Sequence, residues 1–418
     1  GKWVCGSNNE TGQWHLEHWD LPAYSLAYYG TEPPSGHSAE AKWDLLLQQV
    51  RERWHGNVSE ETEEHLSAFH LHGIQAQHGH FEIIETTVSH LFREPCEAMH
   101  GFTYGRLLGK TLRQMGWLTP APRRIVEVGA GLGYLSREMA GEFTGPERQG
   151  IEYVFVDITH PFLGSQTSLA RHAGWKAVGI QANAECMPLT SGSVDLVIDN
   201  ENLADMTPVH LSAQELENGK GETAQHQAAL DLIHQLRLPL DTPFPSEVIF
   251  NYGALAFLME VWRVLRPGGH ALLIEFGIEV GWPAPVKLPG HTEYEVQYSH
   301  LRHAARWLGF RENYCTLPQF LAIRGETQVL CTGAAYSIRR FCEGLQQPFS
   351  VRAYTERELK KVLGDILPRL TGLHYHSVLD PAWFGLWDFK VLLLEKPGGM
   401  ISRPVYQEAK GFRWYSQR

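Results

Sequence analysis

The sequence predicts an α/β protein organised around a doubly wound parallel sheet, and three observations carry that expectation. Short apolar runs at 124–128, 153–157, 176–181, 194–199 and 271–276 alternate with stretches of helical period, as in a parallel sheet covered by helices on both faces. The first run flows into Gly129-Ala130-Gly131-Leu132-Gly133, and the second ends on Asp157. A glycine-rich turn after one strand and an acidic residue one βα unit later mark a nucleotide crevice.

A chain of 418 residues is longer than one ordinary core requires. The reading divides it into an N-terminal arm and helical lead-in (1–120), the sheet domain (121–325) with an insertion at about 208–250, and a C-terminal extension (326–418). Hydrophobic residues at 43% and charged residues at 20% exclude a disordered chain. Lys and Arg total 36 against 47 Asp and Glu, a net charge of −11. A phosphate backbone is repelled on average, which places nucleic acid low among possible partners.

The six cysteines, Cys5, Cys96, Cys186, Cys315, Cys331 and Cys342, form no CxxC pair, so free thiols are expected. No apolar run reaches the ~20 residues that span a bilayer, and the start lacks the apolar core of a signal peptide. A cytoplasmic protein without membrane contact is the expectation.

Residues 1–35 hold Trp14, Trp19, Tyr24, Tyr28 and Tyr29 without a regular period and read as an irregular arm. From Ser38, Trp43, Leu46, Leu47, Val50 and Trp54 recur at helical spacing, and Asn57 with Glu60 suits a helix cap. Within the insertion one amphipathic stretch covers 228–236, a candidate lid or substrate platform. Beyond it a helix is expected at 356–363 and a strand at 389–394.

Glycines at 129, 131 and 133 let the backbone approach a ligand closely. A dinucleotide site prefers GxGxxG, whose helix N-terminus holds a pyrophosphate. Here the tighter GxGxG suits S-adenosylmethionine, which carries no phosphate and leaves as S-adenosylhomocysteine. Asp157, followed by Ile158, is the candidate for the ribose hydroxyls, and Glu127 at the first strand end for the ammonium of the amino-acid end.

Gln181-Ala182-Asn183-Ala184-Glu185-Cys186-Met187-Pro188-Leu189, followed by Ser193 to Asp199, resembles the adenine-binding stretch and next strand of class I, Rossmann-like methyltransferases. Asn183 stands where an aspartate is usual, and its amide oxygen can still accept from the adenine amino group. Val261 to Gly269 resembles the helix and turn before the late strand of that fold. The resemblance implies Glu127, Gly129, Ala130, Gly131, Gly133, Asp157, Ile158, Asn183, Ala184, Glu185 and Asp199 as cofactor-binding residues.

Flanking segments resemble the MidA-like methyltransferases, whose mitochondrial members methylate an arginine of a complex I subunit. These are Ser89-His90-Leu91-Phe92-Arg93-Glu94, the stretch from Asn200 to His210, and Gly290 to Leu301. Departures include Ile84-Glu85-Thr86-Thr87, one extra residue before Asp205, and Glu293 where that family has aspartate.

Asp199, Glu201 and Asp205 cluster after the fourth strand, where carboxylates can hold a cationic acceptor such as guanidinium. Glu201 and Asp205 are therefore candidate catalytic residues for methylating a side-chain nitrogen of a peptide or protein, arginine favoured by the resemblance. His300 and His303 are candidate bases for the alternative, a hydroxyl or amine of a small molecule. A catalytically idle assembly module is the remaining class, and intact Gly129, Gly131, Gly133 and Asp157 argue against it. His70, His72, His78 and His80 lie close together but lack acidic or cysteine ligands in a matching pattern, so no metal is expected.

Overall fold

The structure is a computed structural model that describes residues 3–8, 13–18, 87–240, 243–288, 291–344, 347–371, 373–380 and 383–398. Its centre is a sheet of seven main strands: β1 (Arg124–Val128), β2 (Glu152–Asp157), β3 (Lys176–Gln181), β4 (Val194–Asn200), β5 (Leu265–Ile278), β6 (Arg311–Thr316) and β7 (Phe389–Glu395). The order across the sheet is β6-β7-β5-β4-β1-β2-β3. Strands β1 to β5 pair in parallel, as the alternating pattern requires. β7 runs antiparallel between β5 and β6, so the sheet is mixed rather than wholly parallel. β7 follows β6 through a long connection that holds the helices Leu317–Leu321, Thr332–Gly344 and Glu356–Leu363.

Strand side chains alternate between two cores. Val126, Val128, Val154, Val156 and Val197 enter one, while Ile125, Tyr153, Phe155, Leu196 and Ile198 enter the other. Both faces are thus dry, and each fully buried Val, Leu or Ile contributes roughly 1.5–3 kcal/mol relative to exposure. Helices α1 (Tyr104–Gln114), α2 (Tyr134–Met139), α3 (His160–His172), α4 (Ala224–Leu236), α5 (Tyr252–Val264) and α6 (Tyr298–Leu308) connect or cover the strands. α5 shows why: Leu255, Leu258, Val261 and Val264 recur at helical spacing and are all buried.

β5 begins six residues earlier than the apolar run at 271–276, directly after α5. It takes up Pro267-Gly268-Gly269 through a register shift opposite Val194 and Leu196, with Gly268 at φ 77°. The insertion contains a hairpin of Val209–Ser212 and Glu247–Phe250, a short helix Ala213–Asn218, and α4, which begins at Ala224, four residues before the expected stretch. A second hairpin pairs Pro285–Leu288 with His291–Tyr294.

Near the start, Trp3–Asn8 and Gln13–His18 pair as antiparallel strands where an irregular arm was expected. The helical spacing from Trp43 to Trp54, the cap at Asn57 and Glu60, and His70, His72, His78 and His80 lie outside the described residues, while the end of the expected lead-in holds the helix Val88–Leu91 and α1. Among the described residues no helix is long and apolar enough to cross a membrane.

Candidate active site

The strand order reverses between β1 and β4, and in open α/β sheets the crevice at that switch point takes the ligand. A cavity of about 340 Å³ opens there, within the usual ~300–1,000 Å³ of ligand pockets. Residues 127–132 after β1, 156–159 after β2, 182–185 after β3, and 200–202 and 205–208 after β4 line it, closed on one side by Thr87 and Ser89.

Gly129, Gly131 and Gly133 have φ of 57°, 50° and 83°, all left-handed, where a Cβ is strained. Gly129 and Gly131 line the cavity; Gly133 does not. Gly133 instead starts α2 and packs on α3, where a Cβ would meet Gln166 Cα at 3.0 Å.

Gln166 is fully buried on α3, and its Nε2 donates to Asp157 Oδ2 at 2.8 Å and to the Gly131 carbonyl at 2.9 Å. The Thr159 N–H donates to Asp157 Oδ1 at 2.8 Å. The carboxylate is thereby fixed in direction, and each oxygen keeps acceptor capacity for a vicinal diol. Glu127, 2% exposed, receives the Tyr153 hydroxyl at 2.6 Å. Burial pushes its carboxyl up to about 8, with Tyr153 opposing the shift. A buried acid of this kind favours a cationic partner.

Asn183 Oδ1 accepts from the Glu185 N–H at 2.8 Å, capping the short helix Ala184–Cys186. The oxygen expected to meet adenine is therefore shared with this cap. Glu185 Oε1 accepts from the Thr207 N–H at 2.9 Å, tying the β3 loop to the β4 loop, and burial raises its carboxyl.

Beyond the glycine turn the walls are acidic. Glu201, at φ 58°, accepts from the Val88 N–H with both oxygens, at 3.1 and 2.9 Å, and from Asn200 Nδ2 at 2.9 Å. Burial still pushes it up to about 7, with the Val88 and Asn200 bonds opposing and the Glu293 charge adding. Asp205 lines the same region. Glu275, buried on β5, is held far above the usual carboxylate range by burial and by the charges of Glu293, Asp205 and Glu201. Among the described residues that line the cavity there is no Lys, Arg or His.

Besides Gly133, three expected site residues fall elsewhere. Asp199 is fully buried at the end of β4 and does not reach the cavity wall. His300 lies on the buried face of α6, with Nε2 3.0 Å from the Pro239 carbonyl and its ring edge-on to Trp282. His303, one turn along the same helix, is likewise absent from the lining. The periodicity of Leu301, Ala304, Ala305 and Leu308 on α6 carried the signal that His300 belongs to a packed stripe. Sequence reasoning missed Gln166, Tyr153 and Asn202; a polar residue within a helix, within a strand or in a loop carries no local motif that marks it.

The residues present fit S-adenosylmethionine: a glycine turn along the cavity, a directed carboxylate at the β2 end for the ribose, and a buried carboxylate at the β1 end for the ammonium. Residues 126–218 match the family model described as a methyltransferase domain. No curated protein matches the chain. Among solved structures, a Burkholderia thailandensis protein bound to S-adenosyl-homocysteine is similar at 15% identity and a TM-score of 0.43, over 87% of this chain and 95% of that one. The Burkholderia thailandensis 1,6-didemethyltoxoflavin-N1-methyltransferase, with bound 1,6-didemethyltoxoflavin and S-adenosylhomocysteine, is similar at 12% identity and a TM-score of 0.33, over 70% of this chain and 80% of that one. Likenesses this distant add nothing to the assignment, which rests on the matched domain and the cavity within it. The chain is a class I, S-adenosylmethionine-dependent methyltransferase.

Proposed function

We propose that the acceptor is a side-chain nitrogen of a peptide or protein, arginine before lysine. The observation that carries this reading is the charge of the cavity wall: Glu201 and Asp205 line it, Glu275 and Glu293 are electrostatically coupled to it, and no basic side chain is among the described residues of the lining. Such a wall favours a cation over a neutral hydroxyl. A hydroxyl acceptor also needs a base, and the two histidines considered for that task lie off the cavity. The resemblance of the flanking segments to the MidA-like family points the same way.

Bound S-adenosylmethionine supplies an electrophilic methyl group on sulfur. The acceptor nitrogen must present a lone pair and lose one proton as the new C–N bond forms. A guanidinium paired with carboxylates keeps its positive charge on the paired nitrogens, which leaves the remaining nitrogen the better nucleophile. Asp205 is the proposed hydrogen-bonding partner of the acceptor and the proton's destination. Glu201, already accepting N–H bonds from Val88, contributes charge and holds the Thr87–Ser89 wall in place.

The test is to incubate the full chain with isotopically labelled cofactor and a cell extract, then map label by mass spectrometry of tryptic peptides. Label on arginine supports the reading. Label only on small molecules, or on protein hydroxyls, would reject it.

A further inference from the structure

Asn202 stands where the loops after β1 and β4 meet. The residue before it, Glu201, has left-handed backbone geometry that is costly for any residue with a Cβ. This turn brings the Asn202 side chain over Gly129, where a Cβ on the glycine would fall 2.1 Å from Asn202 Oδ1. Asn202 also lines the cavity.

The direction of its amide is fixed from below. Asn202 Nδ2 donates to Asp199 Oδ2 at 2.9 Å, while Asp199 Oδ1 meets no donor among the described residues. A proton on Asp199 would rest on that second oxygen, leaving Oδ2 an acceptor in either ionisation state. With the amide nitrogen committed to Asp199, the oxygen faces the Gly129 turn. Asp199 itself pairs with Val128 across the β1–β4 register, which anchors the arrangement in the sheet.

An acceptor atom at this spot, in the same cavity lining as the buried Glu127 carboxylate, suits a ligand group with several N–H donors and a positive charge. We propose that Asn202 is a cofactor-binding residue whose amide oxygen, aimed by Asp199, accepts a hydrogen bond from the ammonium group of S-adenosylmethionine. Asp199 is then a positioning residue that acts through Asn202. The assignment rests on the cofactor cavity described above and adds a second acceptor to Glu127.

Calorimetry with two ligands tests it. S-adenosylhomocysteine carries the ammonium; 5′-methylthioadenosine lacks the whole amino-acid end and occupies only the nucleoside half. Asn202→Ala should weaken S-adenosylhomocysteine by about tenfold to a hundredfold, the loss of one hydrogen bond to a charged group. Its affinity for 5′-methylthioadenosine should stay within about twofold of wild type, which also shows that the site has folded. Asp199→Ala should show the same selectivity with a smaller loss, because the amide keeps its oxygen but loses its orientation. Equal weakening of both ligands would make Asn202 a purely structural residue and overturn the proposal, as would unchanged affinity for both. Wild-type protein that binds neither ligand would instead sink the cofactor reading, and this assignment with it.

Discussion

Glu215 in the insertion and Glu201 at the cavity each hold the start of a short helix, yet their carboxyl groups are driven in opposite directions. Burial pushes Glu215 up, but the N–H groups of Glu222 and Ser212, the His226 ring and the Ser212 hydroxyl more than offset it and bring the group down to about 2. Glu201 has fewer donors, from Val88, Ser89 and Asn200, and faces Glu293; it ends near 7. A carboxylate surrounded by donors is fully employed in holding the fold. One left short of donors among like charges is costly to keep ionised until a cation arrives.

The largest effect should separate these two residues directly. Glu201→Gln is expected to lower turnover by at least ~100-fold while cofactor affinity stays nearly intact, once an acceptor is in hand. Full activity in this variant would remove the cationic-acceptor model. Next in size is Asp157→Ala, where two protein donors aim a carboxylate at the cavity; cofactor affinity should fall by roughly 1.5–3 kcal/mol, read by calorimetry. Glu215→Gln should spare both binding and turnover and cost about 1 kcal/mol of stability through its capping box. Because its folded value lies far below the unfolded one, that stabilisation is present above pH ~4.3 and fades as the pH falls toward 2. Acid melting curves of wild type and Glu215→Gln should therefore converge at the lowest pH.

The sheet was legible because its strands are local statements: β1 and β3 match their apolar runs to the residue, and β2 and β4 to within one. β7 was legible as a strand but not as the antiparallel partner of β5 and β6, since pairing between segments so far apart in the chain leaves no local trace. The glycine turn and Asp157 were readable for the same reason as the strands. The network that aims Asp157 was not, because Gln166 is one glutamine in a helix until the fold brings it beneath Gly131. His300 failed the opposite way, as chemistry that looked available in sequence became packing once α6 turned its apolar stripe inward.

The smallest expected effect reaches furthest into the comparison, because it asks whether Glu127 belongs with Glu201 or with Glu215. Glu127 receives a single hydroxyl, and burial holds it at about 8, so near pH 7 the free protein keeps a proton there that the unfolded chain, at ~4.3, has lost. Asp199, at about 8, and Glu201, at about 7, have the same sign. A folded state that binds the extra protons loses stability as the pH climbs from ~4.3 through 8, so the free protein should melt lower at pH 8 than at pH 5.5. A ligand ammonium beside Glu127 favours the ionised form and must expel its proton. S-adenosylhomocysteine should then bind more tightly as the pH rises from 6 to 8, levelling off above the Glu127 value. Titrations at pH 7 in two buffers of different ionisation enthalpy should report proton release, and Glu127→Gln should abolish most of it. Binding that releases no proton and ignores pH would place Glu127 with Glu215, as a carboxylate that serves the fold and never meets the cofactor's charge.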